Sequence, residues 1–88
     1  MAEKLEIGNR EWAPRDFPIR NGSCRRVKIK GSPHVVGHIC FEGDFGPNGP
    51  TKGIYTVMTG GGSKVAYRRS FPAALKALVR WHRGRSLP

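Results

Sequence analysis

Glycine and proline divide this chain into short segments, and the longest segment free of both covers only residues 73–83. Twelve glycines and seven prolines stand among 88 residues, and the prolines lie outside the apolar runs. Both residue types favour turns, whereas a helical bundle needs long uninterrupted apolar periodicity. The pattern therefore predicts short strands with tight connections. A chain of this length accommodates a single domain with a modest core.

Two hairpins are predicted from apolar alternation and β-branched residues. The first joins residues 24–30 to residues 34–41 across a Gly-Ser-Pro turn, and the second joins residues 54–59 to residues 64–69. A Gly-Gly-Gly-Ser connection closes the second hairpin, which fits a four-residue loop. Residues 42–52 are rich in glycine and proline, and we expect them to form a long loop.

Residues 1–23 are predicted to form an extended, irregular arm. Pro14 and Pro18 block a helix, and each pushes its preceding residue towards an extended conformation. Trp12 and Phe17 lie among these prolines. We expect both aromatic side chains to anchor the arm across a sheet.

One amphipathic helix is predicted from Phe71 to about Arg83. Ser70 is a favourable N-cap, and Pro72 occupies the first turn, where its missing N–H costs little. Gly84 is expected to end the helix, because glycine readily adopts the left-handed backbone of a C-cap. At 100° per residue one face carries the apolar side chains and His82: Phe71, Ala74, Leu75, Leu78, Val79, Trp81 and His82.

These elements predict an α+β fold, in which a small antiparallel sheet of three to four strands is packed by one C-terminal helix. A lone sheet exposes one apolar face, and a single helix covers it. The domain is expected to span residues 24–88, preceded by the arm of residues 1–23. An exposed sheet edge leaves both a monomer and a homodimer open.

The charge distribution is strongly asymmetric. All six acidic side chains lie at or before Asp44, so residues 45–88 carry eight lysines and arginines and no acidic residue. Residues 1–44 have eight basic and six acidic side chains. Because like charges repel in a compact state, this asymmetry predicts a negatively charged partner. The partner is either nucleic acid, as DNA or RNA, or an acidic protein surface of a host complex.

Two groups of cations are candidate binding residues. The C-terminal group comprises Lys64, Arg68, Arg69, Lys76, Arg80, Arg83 and Arg85, and the strand group comprises Arg26, Lys28 and Lys30. With Tyr55 or Phe45 nearby, the strand group could stack unpaired bases. The alternatives are a solvated helix face for the C-terminal group and a protected edge strand for the strand group.

No cofactor, metal site or catalytic centre is predicted. Cys24, His34, His38 and Cys40 include zinc-ligand types, but their spacing does not match paired zinc knuckles, and their metal binding stays open. The two cysteines are expected to be reduced thiols, with a single bridge between them as the alternative. Glu42 and Asp44 are not paired with any base, so the protein is expected to be non-enzymatic.

The sequence predicts neither a signal peptide nor a membrane-spanning segment. No apolar stretch approaches the roughly 20 residues that cross a bilayer. The N-terminal residues also lack an apolar signal region. We therefore expect a cytoplasmic protein, in the host cytoplasm if it is viral.

Two local resemblances add functional alternatives. Residues 27–34, Val-Lys-Ile-Lys-Gly-Ser-Pro-His, resemble the strand–Gly-Ser-His segment of HicA-type toxins, which are small basic ribonucleases, although Pro33 intervenes here. That resemblance implies a catalytic role for His34. Residues 53–83 resemble the C-terminal half of small phage-encoded accessory proteins, and the sheet-plus-helix plan resembles integrase arm-binding domains. Anti-CRISPR-type proteins belong to this size class, which implies an inhibitor of host nucleic-acid machinery.

Overall fold

The computed structural model describes residues 4–12 and 22–86, with the backbone alone at positions 45, 85 and 86. Within these ranges five strands precede one helix: β1 Leu5–Trp12, β2 Gly22–Ile29, β3 Val35–Gly46, β4 Gly49–Thr59, β5 Lys64–Arg68 and α1 Phe71–Ser86. Each strand pairs antiparallel with the next, so the spatial order equals the chain order. The predicted α+β class is confirmed, with five strands instead of three to four.

Strand β1 accounts for the additional strand. Its pairing with β2 runs from Leu5 opposite Ile29 to Trp12 opposite Ser23, so the irregular conformation predicted for this part of the arm is wrong. A register shift between Ile7 and Arg10, in the middle of β1, interrupts the alternation by which a strand is recognised. The Trp12 side chain is 79% exposed and therefore does not act as the expected anchor on the described sheet. Phe17 lies outside the described residues.

The loop predicted for residues 42–52 is also wrong, because β3 and β4 extend through it. They meet at a tight turn between Gly46 and Gly49. Gly43 and Gly53 face each other across the hairpin, and a Cβ on Gly53 would lie 2.8 Å from the Gly43 Cα. Glycine is used here because the two backbones approach closely, and Gly43 also has a φ of +152°.

The helix begins as predicted and ends later. The Ala73 N–H donates to the Ser70 Oγ at 3.3 Å, which confirms Ser70 as the N-cap. Gly84 does not stop the helix, which continues to Ser86. Gly84 is exposed with open space around it. A glycine at such a position costs about 1 kcal/mol relative to alanine, and the helix tolerates it.

The core lies between the helix and one side of the sheet, here called the helix face. Within the described ranges the helix backbone approaches β3, β4 and β5, and it does not approach β1 or β2. Strand alternation and register direct side chains of β2, β3 and β4 towards α1. The buried cluster consists of Val27, Val36, Ile39, Val57, Ala74 and Leu78.

The opposite side of the sheet, here called the far face, holds a second buried cluster of Cys24, Cys40 and Met58. Cys24 lies directly opposite Cys40 on the neighbouring strand, and a disulfide joins them. The Cys40 sulfur lies 3.6 Å from that of Met58. The prediction of reduced thiols is therefore wrong. The pairing depends on the register of β2 against β3, which the sequence does not show.

No helix among the described residues is long and apolar enough to cross a membrane.

Candidate functional site

Three predicted cations line one groove between β5 and α1, here called the C-terminal groove. Arg68 comes from β5, and Lys76 and Arg80 come from α1. The four-residue spacing of the two helical cations places them one turn apart on the same side. Arg68, Lys76 and Arg80 are all exposed. The apolar lining of the groove consists of Val65, Ala66, Ala73, Ala77 and Trp81.

Arg83 extends this cationic row along the helix. It lines a shallow depression next to the groove together with Lys76 and Arg80, which are common to both. Arg69 is exposed in the connection between β5 and α1. The side chain of Arg85 lies outside the described residues. The helical periodicity thus brings together the helical cations that the sequence predicted.

Lys64 does not join the groove. It lies opposite Met58, which places it on the far face. Its Nζ is 5.5 Å from the centre of the Tyr67 ring, within range of a cation–π contact. The C-terminal group predicted from sequence is therefore split by the sheet.

The strand group lies away from the groove as well. Arg26 and Lys28 alternate with buried Val27 and so belong to the far face. The prediction that these two cations share one face of the strand is therefore confirmed. Glu6 on β1 stands directly opposite Lys28 and supplies a negative charge there. Lys30 follows the end of β2, and its backbone N–H donates to the Lys4 carbonyl at 2.8 Å.

The predicted association of the strand group with Tyr55 is wrong. Tyr55 lies opposite Phe41 and contacts Phe71, with ring centres 4.9 Å and 6.1 Å away respectively, so it belongs to the helix face. Arg26 lies on the other side of the sheet. The side chain of Phe45 is outside the described residues.

Tyr55 instead belongs to a basic, aromatic cleft that sequence analysis missed, here called the Arg25 cleft. The Arg25 guanidinium lies 5.1 Å from the centre of the Phe71 ring, and its Nε donates to the Gly8 carbonyl at 2.9 Å. The cleft has a volume of about 180 Å³. Its lining consists of Arg10, Ser23, Arg25, Ile39, Phe41, Pro50, Tyr55 and Phe71.

One signal in the sequence could have revealed this cleft. Arg25 is in phase with Val27 and Ile29, so it is a cation on the apolar side of its strand. A half-buried charge in that position requires a specific partner or a function. The alternation of Arg26 and Lys28 is the more regular pattern in this strand, and it draws attention away from Arg25.

His34 lies near a second histidine. The ring centres of His34 and His82 are 6.5 Å apart, which brings the turn before β3 to the last turns of the helix. Two neighbouring imidazoles can supply an acid and a base, the groups that ribonuclease chemistry needs. The metal cluster weighed from sequence does not form, since no group of three or more potential ligands occurs among the described residues.

Comparison of the chain with family models, with curated proteins and with solved structures finds no match. The resemblances to HicA-type toxins and to phage accessory proteins stay predictions from the sequence.

Proposed function

We propose that this protein binds nucleic acid, DNA or RNA, through phosphate contacts of its C-terminal groove, and that it does so without catalysis. One observation carries the proposal: Arg68, Lys76 and Arg80 line one groove, and the part of the chain that builds it, after Asp44, contains no acidic residue. Cations that contact phosphates release condensed counterions, which makes binding favourable and salt-dependent.

The spacing of the helical cations supports phosphate contacts. Lys76 and Arg83, at the two ends of the row, are seven residues apart along α1, or about 10 Å at a rise of 1.5 Å per residue. One strand of a duplex carries a charge about every 3.4 Å along its axis, so this row corresponds to about three phosphates. The apolar side chains beneath the row keep the charged ends at the surface.

The far face supports binding less well, because its cations share it with acids. Lys28 faces Glu6 across the first strand pair, and Glu11 faces Cys24 on the same side of the sheet. Mixed charge of this kind is typical of an ordinary solvated surface. The strand group is therefore secondary in the proposal.

The proposal is tested by fluorescence anisotropy with short DNA and RNA duplexes and single strands at several salt concentrations. The variant K76A/R80A is compared with K4A/K52A, which removes the same charge from exposed positions outside the groove. We expect K76A/R80A to reduce the salt slope on duplexes by about 0.9 for each phosphate that the variant no longer neutralises. K4A/K52A should leave the slope near the wild-type value. Equal decreases of the salt slope in both variants would contradict binding through the C-terminal groove.

A protein inhibitor that docks on a host nucleic-acid-processing or defence complex is the second candidate. The 79% exposure of Trp12 favours it, because exposed tryptophans are common anchors of protein interfaces. This candidate replaces the first if no oligonucleotide binds even at low salt. RNA cleavage by the wild type that His34→Ala abolishes would instead favour the HicA-like alternative.

A further inference from the structure

The helix leaves part of the helix face uncovered, and the Arg25 cleft occupies that part. Among the described residues the backbone of α1 approaches only the last three strands. Ser23 and Arg25 on β2 thus belong to the floor of the cleft, with Phe71 from the first turn of the helix beside them. The cleft is a recess between elements, and it borders the N-terminal end of the helix.

Arg25 offers hydrogen-bond donors in this recess. Its Nε is bonded to the Gly8 carbonyl, which fixes the guanidinium, and its terminal nitrogens have no hydrogen-bond partner among the described residues. A second guanidinium, that of Arg10, lies against Gly49 and lines the same cleft. Planar guanidinium groups match phosphates and base edges better than any other side chain.

Aromatic rings supply the other half of the chemistry. Tyr55 and Phe71 are partly exposed, and their rings pack edge to face in the cleft wall. An adjoining depression shares Arg10 and Ser23 with the cleft and adds the exposed Trp12 ring. Unpaired bases stack on such rings and on guanidinium planes.

The size of the cleft limits its occupant. A volume of about 180 Å³ is below the range of about 300–1,000 Å³ that drug-sized ligands occupy. One planar ring system fits such a recess, and a base in an intact duplex cannot enter it. Positive charge together with stacking rings selects a planar group that carries a negative charge.

From this arrangement we infer that the Arg25 cleft binds one unpaired nucleotide, with the base against Tyr55 and Phe71 and the phosphate on Arg25. The inference rests on the proposed function, and it adds a preference for single strands. The groove and the cleft both border the first turns of α1. A single strand can therefore place phosphates in the groove and one base in the cleft, whereas a duplex can use only the groove.

The experiment compares single-stranded and duplex affinities of Arg25→Gln and Arg26→Gln. The two arginines are adjacent in β2 and lie on opposite faces, so the variants remove the same charge from different surfaces. We expect Arg25→Gln to weaken single-strand binding about tenfold and to leave duplex binding near the wild-type value. Arg26→Gln should leave the ratio of single-strand to duplex affinity at the wild-type value. Trp12→Ala, at an exposed position that cannot disturb the core, should also weaken single-strand binding selectively.

The outcomes separate the two proposals. Equal decreases of single-strand affinity in Arg25→Gln and Arg26→Gln overturn nucleotide binding in the Arg25 cleft. They leave the proposal of phosphate binding in the C-terminal groove unaffected. If no oligonucleotide binds, an NMR titration with adenosine monophosphate decides: shifts at Arg25 and Tyr55 support the cleft, and their absence overturns it. Saturation of these residues by a polyglutamate peptide, without a response to the nucleotide, overturns it in favour of an acidic protein partner.

Discussion

His38 is a buried histidine on the far face, and its exposed fraction is only 9%. Burial lowers its pKa, because a charged imidazole would lose solvation, and the positive charge of Arg26 lowers the pKa further. A hydrogen bond with the Gly60 backbone acts in the opposite direction. The native protein therefore favours neutral His38 at a pH where an unfolded chain already binds a proton.

This shift predicts a loss of stability on acidification. Above the unfolded pKa of about 6.5, His38 is neutral in both states and contributes no pH dependence. As the pH falls below that value, the unfolded chain takes up a proton first, so the free energy of unfolding decreases. Urea unfolding across this range should show a shallower decrease for His38→Gln than for the wild type.

His34 differs from His38 in that it is exposed, and His34→Gln is measured in parallel as the matched substitution. Identical curves for His38→Gln and the wild type would contradict the assigned role of His38. The sequence does not indicate this difference, since both histidines belong to the same apolar run.

At the scale of elements, the fit of α1 against the sheet depends on Gly37 of β3. A Cβ at Gly37 would lie 2.7 Å from the Leu78 Cδ1 and would also collide with the Met58 carbonyl oxygen. Because Leu78 is fully buried, the helix has little freedom to move away.

We therefore expect Gly37→Ala to lower the free energy of unfolding by about 1–3 kcal/mol, the usual cost of overpacking a core. Chemical denaturation measures this decrease directly. Gly61→Ala is the control, because the nearest atom to its Cβ would be the Thr59 hydroxyl at 3.8 Å. Similar stabilities for the two variants would show that α1 does not pack on Gly37 as described.

The elements differ in how far the sequence predicts them. The helix, its Ser70 cap and the hairpin around the Gly-Gly-Gly-Ser turn follow from local chemistry, which the sequence displays directly. The long β3–β4 hairpin was missed, because Gly43 and Gly53 are strand breakers except where two backbones meet. Such a meeting is a tertiary contact, and local patterns do not contain it.

The candidate site likewise has a part that the sequence predicts and a part that depends on packing. Helical periodicity predicts that Lys76, Arg80 and Arg83 share one side of α1, and they do. Whether Arg68 or Lys64 joins them depends on which face of β5 meets the helix. Only the packed structure decides that Arg68 lines the groove and that Lys64 does not.

At the scale of the whole molecule, the disulfide ties β2 to β3 near the middle of the sheet. Cys24 and Cys40 are 16 residues apart in the chain. Closing a loop of this length restricts the unfolded chain and stabilises the native state by about 3 kcal/mol. We expect a reductant to lower the free energy of unfolding by about this amount.

Urea denaturation with and without reductant measures the effect. The variant C24A/C40A should not respond to reductant, which controls for other effects of the reagent. Rapid alkylation of both cysteines in the folded protein without reductant would show free thiols and contradict the bridge.

The position of α1 after all five strands affects how the protein is made. Ala74 and Leu78 complete the buried cluster, so the meander alone leaves Val27, Ile39 and Val57 facing water. Until α1 packs on it, the sheet exposes apolar side chains that favour chaperone binding and self-association.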